Sequence, residues 1–185
     1  MSRIKLVPED SLLLVVDVQE RFLSPIFESE RVEERCKFLC EVATLFGIPV
    51  LATEQYPERM GGTIESLLPY VGNPHRKMEF SAYQDDFFVN LIQMTGRKQI
   101  VVVGIETHIC VSQTCHDLLR AKFEVVVCPD AVSARTQDRH KLGMERMRDA
   151  GIVPAHTEAV AYEWCNSADN PQFRHLLSVV KNSKF

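Results

Sequence analysis

The sequence predicts an α/β fold of three layers, α/β/α, with a parallel six-stranded sheet wound doubly between helices. Two observations carry this expectation. Short runs of valine, isoleucine and leucine recur along the chain, as in LLLVV and IVVV. Strands that apolar belong to parallel sheets covered on both faces. Between these runs lie longer stretches whose apolar residues recur every three or four positions, the period of a helix with one buried face. Strict alternation of the two patterns gives the doubly wound arrangement. With 185 residues and 45% hydrophobic content, the chain suits one domain over 1–185 with a single large core.

The elements follow in order. LLLVV (12–16) reads as a strand buried on both faces. SERVEERCKFLCEVATLFG reads as a helix with Val32, Cys36, Leu39, Cys40, Ala43 and Phe46 on one face, stopped at Gly47. IPVLAT (48–53) is the second strand. Residues 54–84 are irregular and hold Pro57, Gly61, Gly62, Pro69, Gly72 and Pro74, with a short helical piece at TIESLLPYV. Such long connections are usually functional. A short strand is expected within HRKMEF, a helix at DDFFVNLIQMTG and a strand at KQIVVVG. CVSQTCHDLLRAK is a helix starting at Cys110, and FEVVVCPDAV a strand with its exit loop. DRHKLGMERMRDAG is a helix, IVPAH a short strand, and EAVAYEWC and PQFRHLLSVVKN are the closing helices.

The bulk numbers exclude several classes of function. A net charge of −4 with no basic block offers no footprint for nucleic acid or an anionic membrane. No apolar run approaches the roughly 20 residues of a membrane span, and MSRIKLVPED has no signal-peptide core. The expectation is a cytoplasmic protein whose six cysteines are free thiols.

In open parallel sheets, sites form beyond the carboxyl ends of the strands, where the strand order reverses. With the order 3-2-1-4-5-6, the first and fourth strands meet at that reversal. The first ends in VVDVQ, placing Asp17 there; the fourth runs through VVVGIETHIC, placing Cys110 just beyond its end. A cysteine at a helix N-terminus faces unpaired N–H groups and the positive end of the helix dipole, which favour thiolate. Lys77, in HRKMEFSAY, would lower the thiol pKa further.

Three segments together resemble the isochorismatase-like cysteine hydrolases, the superfamily that includes nicotinamidase and N-carbamoylsarcosine amidohydrolase. They are D-x-Q (Asp17, Gln19), K-x-x-F-S-A-Y (Lys77 to Tyr83) and G-x-E-T-H-x-C-V (Gly104 to Val111). The likeness runs from about Leu12 through Ala155 and is nearest the small isochorismatase domain-containing branch. It implies the Rossmann-like strand order 3-2-1-4-5-6 and a catalytic triad of Cys110 as nucleophile, Asp17 as base and Lys77 as its orienter. It also implies a cis peptide between Ile105 and Glu106, and an oxyanion hole from the backbone N–H groups of Glu106 and Cys110, with Thr107 supporting the turn.

The nicotinamidase branch binds a metal with an aspartate and histidines after its second strand. Here that region reads ATEQYPERMGG, with no histidine, so no metal and no cofactor are expected and nicotinamide is a poor fit. Gln19, Phe22, Tyr56, Phe80, Tyr83, Thr107 and His108 are the candidate pocket residues for a small-molecule substrate. Each has a plainer reading: Phe22 and Phe80 as core, His108 as surface, Asp17 as a cap, Lys77 as a surface lysine. Cys36, Cys40, Cys115, Cys128 and Cys165 lie in apolar contexts that suit packing. The expected activity is hydrolysis of a small amide-like or ester-like carbonyl compound through a thioester. The alternatives are a binding or scaffold protein that keeps the fold, and, more remotely, a ribonuclease. Family relatives commonly assemble, so a homo-oligomer is expected, with EAVAYEWC and HLLSVV as candidate surfaces, although a docked terminal helix explains the same apolar residues equally well.

Overall fold

A computed structural model describes residues 4–183. Among them the chain forms six parallel strands: β1 (Ser11–Val16), β2 (Val50–Gln55), β3 (His75–Lys77), β4 (Gln99–Ile105), β5 (Glu124–Ser133) and β6 (Val153–Pro154). They lie in the order β3-β2-β1-β4-β5-β6. The helices, in chain order, are α1 (Glu20–Leu23), α2 (Ser29–Leu45), α3 (Pro57–Met60), α4 (Leu68–Val71), α5 (Asp86–Met94), α6 (Ser112–Arg120), α7 (Gln137–Asp149), α8 (Thr157–Cys165) and α9 (Phe173–Asn182).

Side chains alternate across each strand, so the sheet divides the interior into two cores. Leu13, Val15, Val101, Val103 and Val126 face one way, against Val32, Cys36, Leu39, Val160 and Trp164 of α2 and α8. Leu12, Leu14, Val16, Ile100, Val102 and Val125 face the other, against Phe88, Cys115, Leu118, Met144 and Met147 of α5, α6 and α7. Continuous burial of β1 and β4 therefore reflects two covering layers.

Two elements differ from the sequence reading. The Cys-Pro-Asp stretch is not an exit loop: β5 continues through it to Ser133. The ladder with β4 shifts register there, pairing Val102 with Val127 but Gly104 with Val132. Pro129 has no N–H to donate, and a bulge is where a strand tolerates that. The winding after β4 begins at Thr107, three residues before Cys110, as a π-helical turn over Thr107–Val111 that runs into α6.

β1 and β4 close on each other at the point where the order reverses. Gly104 has φ 114, and a Cβ there would lie 2.1 Å from the carbonyl oxygen of Val16. No side chain fits, so glycine lets the two strand ends meet directly beneath Asp17 and Cys110.

Candidate active site

Asp17 follows the last residue of β1 in a left-handed conformation, φ 52. Its N–H donates to the Thr53 carbonyl at 3.1 Å. Its carboxylate is almost wholly buried and held on both oxygens: Oδ1 accepts from Thr53 Oγ1 at 2.7 Å, and Oδ2 from Lys77 Nζ at 2.8 Å. Lys77 comes from β3, two strands away, and is itself 2% exposed. A buried ammonium needs acceptors for its protons. Besides Asp17 it donates to Gln55 Oε1 at 2.7 Å, with the carbonyls of Glu79 and Phe80 at 3.2 and 3.4 Å.

Gln55 ends β2, in register with Lys77. Its Nε2 donates to the Met78 carbonyl at 2.8 Å, which fixes the amide with its oxygen toward Lys77. Gln19 lies beneath as a brace, accepting from Gln55 N–H at 2.7 Å and donating to the carbonyls of Gln55 and Gly61 at 3.1 and 2.6 Å.

Cys110 faces this network from the π turn. The Ile105–Glu106 peptide bond is cis. The Glu106 carbonyl accepts from Ile109 and Val111 N–H at 3.0 and 3.3 Å, winding the turn. Asp17, Gln55 and Cys110 share a cleft of about 330 Å³, including its open mouth, walled by Phe22, Phe80, Ile105 and Ile109. Cys110 is 7% exposed. Burial raises its pKa well above the usual thiol range. The Asp17 carboxylate adds to the rise; Lys77 opposes it. The position at the head of a helix does not outweigh burial and a neighbouring anion, so the Cys110 pKa is shifted up and not down as the sequence suggested.

Residues 11–159 match the isochorismatase domain family. The chain belongs to that family. It is 33% identical over 183 residues to the secreted isochorismatase effector Isc1 of Phytophthora sojae, covering 96% of this chain and 87% of that protein. It is 32% identical over 172 residues to isochorismatase domain-containing protein 2 of Danio rerio, covering 93% and 87%. Among solved structures, the MAR1 ribonuclease from Caenorhabditis elegans superposes with a TM-score of 0.91 at 29% identity, over 97% of this chain and 94% of that one. The architecture is accordingly the hydrolase fold of the isochorismatase family.

The other expected pocket residues fall in different places in this isochorismatase-family site. Phe22 and Phe80 wall the cleft, and Phe80 is 56% exposed at its mouth. Tyr56 sits past the end of β2 with φ 42, its N–H donating to the Lys77 carbonyl and its ring half-exposed away from the cleft lining. Tyr83 packs edge-on against Phe123, ring centres 5.8 Å apart. Thr107 is fully buried, its hydroxyl 3.0 Å from His140 Nδ1. His108 lies against α7 at Gly143, and burial lowers its pKa. The Glu106 carboxylate, largely buried, pairs with Arg135 at 3.1 Å, and the residue lines the cleft. The sequence reading overlooked Thr53 and Gln55. The signal for both was the polar run Thr53, Glu54 and Gln55 closing an otherwise apolar strand beside the expected crevice.

Among the described residues, no group of three or more His, Cys, Asp or Glu side chains is arranged to hold a metal ion. None of the helices described is long and apolar enough to cross a membrane. All six cysteines are buried free thiols.

Proposed function

We propose that the chain is a cysteine-dependent hydrolase of a small, uncharged amide-like or ester-like substrate, acting through a thioester. The observation that carries the reading is the shared cleft. A thiol and a carboxylate face each other there, and the carboxylate is fixed from behind by Lys77 and Thr53. This is the nucleophile, base and orienter arrangement of covalent catalysis.

In this reading Cys110 stays protonated until substrate arrives. As sulfur attacks the carbonyl carbon, its proton passes to Asp17. The oxyanion is held by the backbone N–H groups of Cys110 and Glu106. When the intermediate collapses, the carbon–nitrogen or carbon–oxygen bond breaks and Asp17 returns the proton to the leaving group. Water then gives a proton to Asp17 and attacks the thioester; the acid leaves and the proton returns to sulfur. Lys77 keeps Asp17 aimed throughout. No lysine, arginine or histidine lines the cleft, which favours an uncharged substrate with an apolar flank between Phe22 and Phe80.

The ribonuclease names of the C. elegans neighbour and of two Leishmania neighbours favour a nucleic-acid substrate. A narrow cleft without a cation and a net charge of −4 weigh against a phosphodiester chain. The six free thiols suit a reducing compartment, and the whole chain is read as one catalytic domain. The candidate surfaces EAVAYEWC and HLLSVV turn Val160, Ala161, Trp164, Cys165 and Leu176 into the core, whereas Met78, Phe80 and Phe87 are exposed and support self-association, which sedimentation at micromolar concentration would check.

The test is a panel of small primary amides, carbamoyl compounds and esters, read by product formation and by acyl adducts on Cys110 in peptide mass spectrometry. Turnover of a panel member with an acyl-Cys110 intermediate, both lost in Cys110→Ala, is expected. Full turnover in Cys110→Ala would overturn the mechanism. Stabilising ligands that are never consumed would favour a binding protein that keeps the fold.

A further inference from the structure

We infer that helix α7 is the seat of the nucleophile turn, and that His140 and Gly143 are positioning residues for Cys110 although neither lines the cleft. The inference rests on the proposed role of Cys110.

The turn Thr107–Val111 presents Cys110 to the cleft on one side and two other residues, Thr107 and His108, to α7 on the other. The inward face of α7 is His140, Gly143, Met144 and Met147, spaced as one face of a helix requires. Met144 and Met147 anchor that face in the core, in the same cluster as Val111 and Cys110. The other two residues meet the turn itself.

His140 supplies the polar contact. Thr107 has no exposed surface, so its hydroxyl must find a partner within the protein. That partner is His140 Nδ1 at 3.0 Å. Burial lowers the His140 pKa; the Arg31 guanidinium adds to this and Glu28 opposes it. The contact serves with either neutral tautomer: the hydroxyl donates to Nδ1 when the ring carries its proton on Nε2, and accepts when the proton is on Nδ1.

Gly143 supplies the close approach. A Cβ at this position would lie 3.0 Å from His108 Cα and 3.1 Å from both His108 N and Cβ. These are atoms of the turn's own frame and cannot swing aside as a side-chain tip would. Alanine is the better helix former at such an interior position, so the cost of glycine makes sense as clearance for the turn. One hydrogen bond and one backbone contact, three residues apart on the same face, thus fix the two residues that precede Cys110 by three and two positions.

The test needs no substrate. Alkylation of Cys110 by iodoacetamide is followed by peptide mass spectrometry across pH about 6 to 10, with the melting temperature of each variant. The expected result is that His140→Leu and Thr107→Val each change the Cys110 rate by about tenfold or more in the same direction. His140→Asn, whose amide can take the place of Nδ1, stays within about threefold of wild type. Gly143→Ala also changes the rate by about tenfold while the melting temperature holds or rises. That pairing separates a displaced turn from a weakened fold, and it serves if His140→Leu does not fold. Wild-type rates in His140→Leu and Gly143→Ala, or an effect of His140→Asn equal to that of His140→Leu, would overturn the inference. If the Cys110 curve ignores even Asp17→Asn, the nucleophile reading itself fails; insensitivity confined to the α7 variants sinks this inference alone.

Discussion

Cys110 and Cys115 lie five residues apart on one continuous segment, and both are buried. Burial is the largest influence on each, and it raises both thiols well above their usual range. For Cys115 it is the only cause found. For Cys110 the Asp17 carboxylate pushes further up and Lys77 pulls back. The two regions therefore differ in company and hardly at all in concealment. One thiol is packed among Val111, Leu118 and Met147 as a small hydrophobe. The other shares a cleft with the Asp17 carboxylate, the base of the proposed mechanism. On the proposed mechanism, reactivity comes from a proton acceptor beside the sulfur and requires neither a low resting pKa nor exposure.

The sharpest way to break this comparison is Asp17→Asn. The variant removes the anion that raises the Cys110 pKa, so iodoacetamide labelling of Cys110 should move to lower pH. Cys115, which has no such neighbour, should not move. Hydrolysis of any substrate found should fall by about 10² to 10⁴, the usual worth of a general base. A more ionised thiol with less turnover is the signature of base-dependent attack. If labelling and turnover rise together, thiolate population and not proton transfer limits the reaction.

Lys77→Met is next in size. It leaves the Asp17 carboxylate buried without its cation, which costs about 3–5 kcal/mol of stability. It also removes the one influence that lowers the Cys110 pKa, so labelling should shift to higher pH. Urea denaturation checks the first effect. The double variant Asp17→Asn, Lys77→Met should recover part of the loss, because no unpaired charge is then buried. A double variant no more stable than Lys77→Met would mean that Lys77 holds the loop through the Glu79 and Phe80 carbonyls more than through Asp17.

These tests also mark where the sequence was legible. The alternation of strands and helices follows from hydrophobic patterning, and the strand order was implied by the family resemblance; given that order, one topological rule brings Asp17 to Cys110, since both sit at strand ends. Lys77 was found through its motif, because three residues of edge strand give no periodicity to read. Gln55 and Thr53 were missed for a different reason. Their importance lies in cross-strand bonds to Lys77 and Asp17, and single-strand patterning contains no pairing register. The direction of the Cys110 shift was misread because the helix terminus is local in sequence, whereas the burial and the carboxylate that outweigh it are not. Tyr83 shows the same limit: its motif puts it near Lys77, yet its ring turns to Phe123, forty residues along the chain.

The smallest expected effect completes the comparison from the other side. Cys115→Ala removes one buried sulfur from a core of apolar side chains and should cost about 1 kcal/mol. It removes no charge and no hydrogen-bonding partner of Asp17, so turnover and the labelling curve of Cys110 should stay within about twofold of wild type. Thermal unfolding and the same labelling series measure both. A fall in turnover as large as that in Asp17→Asn would mean that packing beneath α6 controls the cleft. The contrast between the two thiols would then be one of mechanical support, and the proton acceptor would lose its place as the feature that distinguishes Cys110.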